Sequence, residues 1–218
     1  MKKNLLIIGA GGHGSVVAEA AEAAGNWEQI GFIDDRYPEI ECLYKWQVVG
    51  TRKILETCDK DVTEILVAIG DNGTRLAFID DLLQKGFRLA TIIHPTAYIS
   101  PWSTVGAGTV VLEKVVVKTG TKIGMGCILN SGCIIGHDCD IGNGVHIAPG
   151  AHIAGQVKIG DLTWFGIGAT VIQQILIGTN VTVGAGTVVI RDIPDNVKVV
   201  GVPGKIIAQK QEAADGLE

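Results

Sequence analysis

The sequence predicts an α/β domain followed by a parallel β-helix, on three observations. From Ile93 onward, every sixth residue is apolar through seventeen positions. Glycine, at 30 of 218 residues, recurs just after those apolar positions. Ahead of the repeat, short apolar runs end in glycine or aspartate, as parallel strands do where their loops build a ligand site.

The repeat is the most specific signal. It starts at Ile93, Ile99 and Val105 and runs to Val183 and Val189; sixteen of the seventeen positions are aliphatic and the other is Phe165. With roughly half of residues apolar at random, chance agreement is on the order of one in a hundred thousand. Six residues make one flat side, a short strand and a turn, and three sides close a coil of about 18 residues. Successive coils pair as parallel strands about 4.8 Å apart. The aliphatic residue points inward and stacks on its equivalent one coil away, so one coil alone cannot bury it. Glycines at 106, 124, 136, 142, 160, 166, 178 and 184 follow the aliphatic position and are expected to turn the corners, where positive φ favours glycine. Two residues before the aliphatic position, side chains are small, Cys127, Cys133 and Cys139 among them. These three read as wall residues of the prism, with a thiol nucleophile as the alternative. Five cysteines without a CxxC fit neither a disulfide framework nor a zinc ribbon.

The first ninety residues read as a small nucleotide-binding domain. Leu5–Ile8 is a continuous apolar run, as in a buried parallel strand. Gly9-Ala10-Gly11-Gly12-His13-Gly14 follows, then a helix over 15–24. Strand, glycine turn and helix N-terminus together make an anion site. A second strand over 30–33 ends in Asp34-Asp35, close to where a dinucleotide fold puts its ribose-binding acid. A third, over 65–69, ends at Gly70-Asp71-Asn72, and a helix over 73–85 follows, with Leu76, Ile79, Leu82 and Leu83 on one face and Gly86 as its stop. The domain lacks a second mononucleotide half, so one uridine diphosphate group fits better than NAD. His13, inside the turn, is placed to contact a phosphate or a sugar.

Charge and hydropathy exclude other classes. The net charge is −5 with no long basic run, which makes nucleic acid a poor partner. No apolar stretch reaches the length of a membrane span, and the opening residues lack the apolar length of a signal peptide; the expected location is cytoplasmic.

Three of the five histidines, His137, His146 and His152, fall close together in the repeat. His137 lies two residues beyond inward Ile135, so it should face outward near a corner, with Asp138 beside it. A carboxylate next to an imidazole fixes its tautomer and raises its basicity, which suits a general base. His146 and His152 precede inward positions one hexad apart and so belong to adjacent sides. The three do not repeat the spacing of β-helical zinc sites, and no metal is expected.

These blocks, with Arg75, Ile93-His94-Pro95 and the closing Gly201-Val202-Pro203-Gly204-Lys205, resemble the sugar-nucleotide acetyltransferases of the hexapeptide-repeat class, those of sialic-acid and bacillosamine pathways. The similarity spans roughly residues 3–205. It implies a Rossmann-like domain over 1–90, a left-handed β-helix over 91–208 and a polar tail over 209–218. It implies acetyl-CoA as co-substrate, a UDP-amino-sugar as acceptor, and homotrimers with active sites between subunits. Matched residue by residue, His137 is the general base and Asp138 the acid that raises its basicity. Gly11, Gly12, His13, Asp34, Asp35 and Gly70 are the nucleotide-sugar site. His146, Ile167 and Ala185 are acetyl-CoA contacts, Ala185 standing where the family pattern has glycine. The implied reaction is direct acetylation of the 4-amino group of a UDP-4-amino-4,6-dideoxy-N-acetylhexosamine. An O-acetyltransferase of sialic acid or another sugar hydroxyl, a non-enzymatic UDP-sugar-binding protein and an NAD-dependent enzyme are the rivals.

Overall fold

The computed structural model describes residues 3–209. Its α/β part comprises β1 (Lys3–Ile8), α1 (Gly12–Ala24), β2 (Trp27–Ile33), β3 (Cys42–Leu43), β4 (Trp46–Gly50), β5 (Thr63–Val67), α2 (Asn72–Gln84) and β6 (Arg88–Leu89). The strand order is β3-β4-β2-β1-β5-β6, and only β3 and β4 pair antiparallel. β1 reads as a continuous apolar run because both faces are covered: Leu5 and Ile7 pack with α1, and Ile8 with α2. The chain leaves β1 toward β2 and later returns to β5 on the other side. The loops after β1 and β5 therefore diverge, which opens a crevice at the carboxyl edge of the sheet.

From Ile92–Ile93 to Val188–Val189 the chain forms seventeen two-residue strands. They stack into three parallel sheets, the sides of a prism, with each strand paired to the one 18 residues on, as Val110 to Ile128 and Val117 to Ile135. On the first side run Ile92–Ile93, Val110–Val111, Ile128–Leu129, His146–Ile147, Trp164–Phe165 and Thr182–Val183, extended by the hairpin Val197–Val200 and Lys205–Gln209. On the second run the strands from Tyr98–Ile99 to Val188–Val189, and on the third those from Thr104–Val105 to Leu176–Ile177. The inward aliphatic residues form one core cluster, each worth about 1.5–3 kcal/mol of burial. Buried Thr109, Thr121 and Thr163 satisfy their hydroxyls by donating to carbonyls of the next coil at 2.7–3.0 Å.

Four expectations are corrected. Ile93 is 38% exposed because the first coil has nothing stacked beneath it. The glycines directly after the aliphatic residue do not carry the positive φ; residues two places further on do, including Gly108, Lys114, Gly126 and Asp138. The former are glycine for lack of room: a Cβ on Gly106 would lie 2.5 Å from Gly124 C of the next coil, and one on Gly160 2.5 Å from Thr179 N. Leu83 is 42% exposed, and Arg75, with Ile79 and Leu82, occupies the buried face of α2. Gln209, placed in the tail by sequence, ends a strand and pairs with Val197; residues 210–218 lie outside the described residues.

The α/β part sits on the first side of the prism. Ile92, Val110 and Leu112 share a core with Val17 and Ala21 of α1. The outward residues of the third side form a charge ladder, with Asp140 in register between Lys122 and Lys158. No described helix is long and apolar enough to cross a membrane.

Candidate active site

The glycine turn after β1 enters α1 at Gly11, an N-cap with no side-chain hydrogen bond, and the first turn carries no acid. A Cβ on Gly11 or Gly12 would meet nothing within 4 Å. No neighbouring atom therefore crowds the Cβ positions of these two glycines, and the first-turn N–H groups of a helix are a ready anion cradle. Asp34, at the end of β2, locks the turn: its Oδ2 accepts from Ala10 N–H at 2.8 Å and its Oδ1 from Arg36 Nε at 2.8 Å. Arg36 also donates to Ala10 O at 3.0 Å. The hydrogen bond from Arg36 holds the Asp34 carboxyl down at about 2. Both oxygens are thus occupied by protein donors. Asp35 is exposed, paired with Arg52 at 2.9 Å, and lines a cleft of about 800 Å³ with Thr51, Arg52 and Phe78. Gly70 opens instead onto a cleft of about 420 Å³ shared with Asn72, Trp164 and Thr182 of the prism.

Sequence reasoning gave Arg75 no role, yet it organises the seam between the two parts. It is 1% exposed. Its guanidinium donates to Gly126 O, Gly144 O, Ile69 O and Asn72 Oδ1 at 2.7–2.9 Å, and to Gly70 O at 3.2 Å. Burial lowers it to about 10, still charged at neutral pH. His13, in the first turn of α1, and His146, on the first side of the prism, both feel this cation. Burial first, then the Arg75 charge, hold each imidazole down to about 4. His13 Nε2 and both ring nitrogens of His146 are buried without a hydrogen-bond partner among the described residues. The His146 ring stands edge-on to Trp164 at 6.2 Å. Neutral imidazoles facing a seam, with nitrogens free to donate or accept, suit ligand oxygens.

His137 and Asp138 lie elsewhere, at the corner between the second and third sides. Both side chains are 58% exposed, and His137 Nδ1 meets Asp138 Oδ2 at 2.9 Å. With Nδ1 donating to the carboxylate, Nε2 carries the lone pair. Asp138 occupies the left-handed corner position, φ 56°, a conformation that aspartate tolerates. Ile167, 63% exposed, and Ala185 one coil above it occupy a third location, the corner between the first and second sides. His152 is exposed on the second side. One chain thus gathers Gly11, Gly12, His13, Asp34, Gly70 and His146 near the seam. His137 and Asp138 are on the opposite corner, and Ile167 and Ala185 apart from both.

The three repeat cysteines are buried, and burial pushes Cys127 up to about 11, Cys133 up to about 12 and Cys139 above its ordinary value. None is a poised thiolate. Among the described residues no cluster of histidine, cysteine and acids could hold a metal ion.

Comparison with known proteins gives matches in both the α/β part and the prism. Residues 4–82 match the PglD N-terminal domain model, and residues 120–155 the bacterial transferase hexapeptide model of six repeats. The acetyltransferase domain of PglB from Neisseria gonorrhoeae, solved with acetyl coenzyme A, is 40% identical; the match covers 95% of this chain and 100% of that one, with a TM-score of 0.92. PerB from Caulobacter crescentus, solved with CoA and GDP-perosamine, is 35% identical over 95% of this chain and 99% of that one, with a TM-score of 0.88. A curated UDP-N-acetylbacillosamine N-acetyltransferase from Bacillus subtilis (strain 168) is 34% identical over 112 residues, 50% of this chain and 51% of that protein, so the match spans about half of it. With an α/β domain ahead of a left-handed β-helix, and with these relatives across nearly its whole length, the chain belongs to the hexapeptide-repeat family of sugar-nucleotide acetyltransferases that includes the PglB acetyltransferase domain and PerB.

Proposed function

We propose that this chain transfers the acetyl group of acetyl-CoA to the 4-amino group of a UDP-4-amino-4,6-dideoxy-N-acetylhexosamine, with His137 as general base. The observation that carries the reading is the exposed imidazole–carboxylate pair, with His137 Nδ1 2.9 Å from Asp138 Oδ2; the tautomer that donates from Nδ1 to this carboxylate leaves the Nε2 lone pair to act as the base. The sugar amine attacks the thioester carbon and a C–N bond forms. His137 Nε2 takes the amine proton, the C–S bond breaks, and the proton passes to the departing CoA sulfur. Buried, neutral cysteines support direct transfer without an acyl-enzyme. Holding both substrates side by side supplies the orientation.

The nucleotide diphosphate is assigned to the bare N-terminus of α1 at Gly11 and Gly12, with His13 and Gly70 lining the sugar's path. Asp34 acts by fixing the turn, and Asp35 is the acid left to contact the nucleoside. His146, Ile167 and Ala185 are assigned to acetyl-CoA. These groups cannot all serve one site within one chain. The α/β part covers the first side, and His137 sits on the corner between the other two sides, which is opposite the first in a triangular prism. A homotrimer resolves this, with the corner of one subunit facing the seam of the next. The second side supports such contacts, since four of the six outward residues of its column are Tyr98, Val116, Ile134 and Val188, with His152 and Thr170 the other two.

The test is an initial-rate acetyl-transfer assay with UDP-4-amino-sugar, GDP-4-amino-sugar and sialic acid in parallel. The UDP-amino-sugar should be preferred, and His137→Ala should lose on the order of 10²–10⁴ in kcat while remaining folded. Near-normal turnover by His137→Ala would remove the imidazole from the chemistry. Preference for the GDP sugar or for sialic acid would reassign the acceptor.

A further inference from the structure

His137 stands two places after the inward aliphatic residue of its hexad. All seventeen hexads have a residue at that place, and glycine occurs there only once, at Gly155. Gly155 lies one coil of 18 residues on from His137: the strands that immediately precede them, Ile134–Ile135 and His152–Ile153, are partners in register. Gln156 N–H donates to His137 O at 2.8 Å. A Cβ built on Gly155 would sit 2.5 Å from His137 Nε2 and 2.8 Å from Cδ2 and Cε1, and its three nearest atoms all belong to that ring. The backbone does not demand glycine there, because Gly155 is absent from the residues with positive φ. A matching space lies one coil the other way. A Cβ on Gly120 would collide with the Asp138 carboxylate oxygen and lie 3.2 Å from its Cγ. Gly120 also has φ 73°, so its backbone alone would already favour glycine.

We propose that Gly155 and Gly120 are positioning residues for the His137–Asp138 pair. Together they form a slot across three coils that seats the imidazole over one glycine and the carboxylate over the other. The inference rests on the reading of His137 as general base. Asp138 holds the Nδ1 end, and the bare Cα of Gly155 receives the Nε2 end. A methyl at 155 must displace the nitrogen that takes the proton, by about an ångström, and a misplacement of that size costs about 10²-fold in rate. The site is exposed, so the ring has solvent to swing into and the fold can survive the substitution.

The experiment compares Gly155→Ala, His137→Ala and the double variant as full-length protein. Gly155→Ala should lose about 10²-fold in kcat, with KM for both substrates within about twofold and an unchanged Tm. The double variant should be no slower than His137→Ala. Wild-type kcat in Gly155→Ala, or a further loss in the His137→Ala background, overturns the proposal. If Gly155→Ala fails to fold, removal of the ring in the double variant should restore folding; failure to restore it also overturns the proposal. If His137→Ala proves fully active, the reading of the base falls. The crystal structure of Gly155→Ala then decides the slot on its own: an undisplaced ring with its 2.9 Å contact to Asp138 refutes it. For Gly120, Gly120→Ala is set against Gly86→Ala, which has φ 78° and no atom within 4 Å of its Cβ. Only Gly120→Ala should lower kcat, and an equal loss in both overturns that half of the slot.

Discussion

Acid should loosen the seam between the two parts of this protein, and the size of the effect follows from His13 and His146. Both imidazoles have an ordinary value of 6.5 in the unfolded chain and are held at about 4 in the fold, first by burial and then by Arg75. Between those values the unfolded chain binds protons that the native protein refuses, so stability falls as pH falls. It is fully present above about 6.5 and is lost progressively toward 4. Lowering the pH from 7.5 to 5 should cost about 2 kcal/mol per histidine, about 4 kcal/mol for the pair. Asp34 does not confuse the window, since its carboxyl is held at about 2 and its contribution is lost only as pH falls from about 4. The assay is urea unfolding at fixed protein concentration, without substrates, at pH 7.5, 6 and 5, for wild type and His13→Asn/His146→Asn. The wild type should lose about 4 kcal/mol more than the double variant over that range. Equal pH slopes would refute the assignment, as would an NMR titration showing either imidazole protonating near 6.5 in the folded protein.

Two further predictions separate the seam from the corner. Arg75→Met strands Gly126 O, Gly144 O and Asn72 Oδ1 in the interior; it should cost more than about 3 kcal/mol in unfolding free energy, and a loss under about 1 kcal/mol would deny Arg75 its place as the clamp. If the chain assembles as the proposed homotrimer, co-expressed His137→Ala and Gly12→Asp, each strongly impaired alone, should recover about a quarter of wild-type activity, because a quarter of randomly assembled interfaces unite an intact seam with an intact corner; no recovery would overturn the shared-site trimer.

How much of this was legible in the sequence depended on whether a feature belongs to the repeat or to what covers it. The sixfold period located the sides, the corners and the outward His137, because inward packing of stacked coils dictates that pattern locally. It also put His146 and His152 on adjacent sides, as found. It could not tell that one of these equivalent positions is half-buried edge-on to Trp164 while the other is exposed. That difference is tertiary: the α/β part covers one side only. Arg75 was hidden for the same reason. A helix wheel cannot announce that the acceptors for a buried guanidinium are carbonyls 51 and 69 residues away. The glycines after the aliphatic residues were noticed, but for the wrong cause. Their spacing fits a turn as well as it fits a close approach, and only the adjoining coil decides between them.

Gly155 is the instructive exception, since simple arithmetic could have found it. Adding 18 to 137 falls on the one glycine among seventeen equivalent places. In a stacked fold, the neighbour of a reactive side chain is known from the period alone, so an unusually small residue one coil away marks the space that side chain needs. The same rule connects Asp138 with Gly120. A prism cannot close a pocket around an exposed pair as a globular fold can, because its corners are convex and each residue touches chiefly its own column. Precision at such a corner has to come from the coils directly above and below. Oversized atoms in those two places should therefore harm the chemistry before they harm the fold.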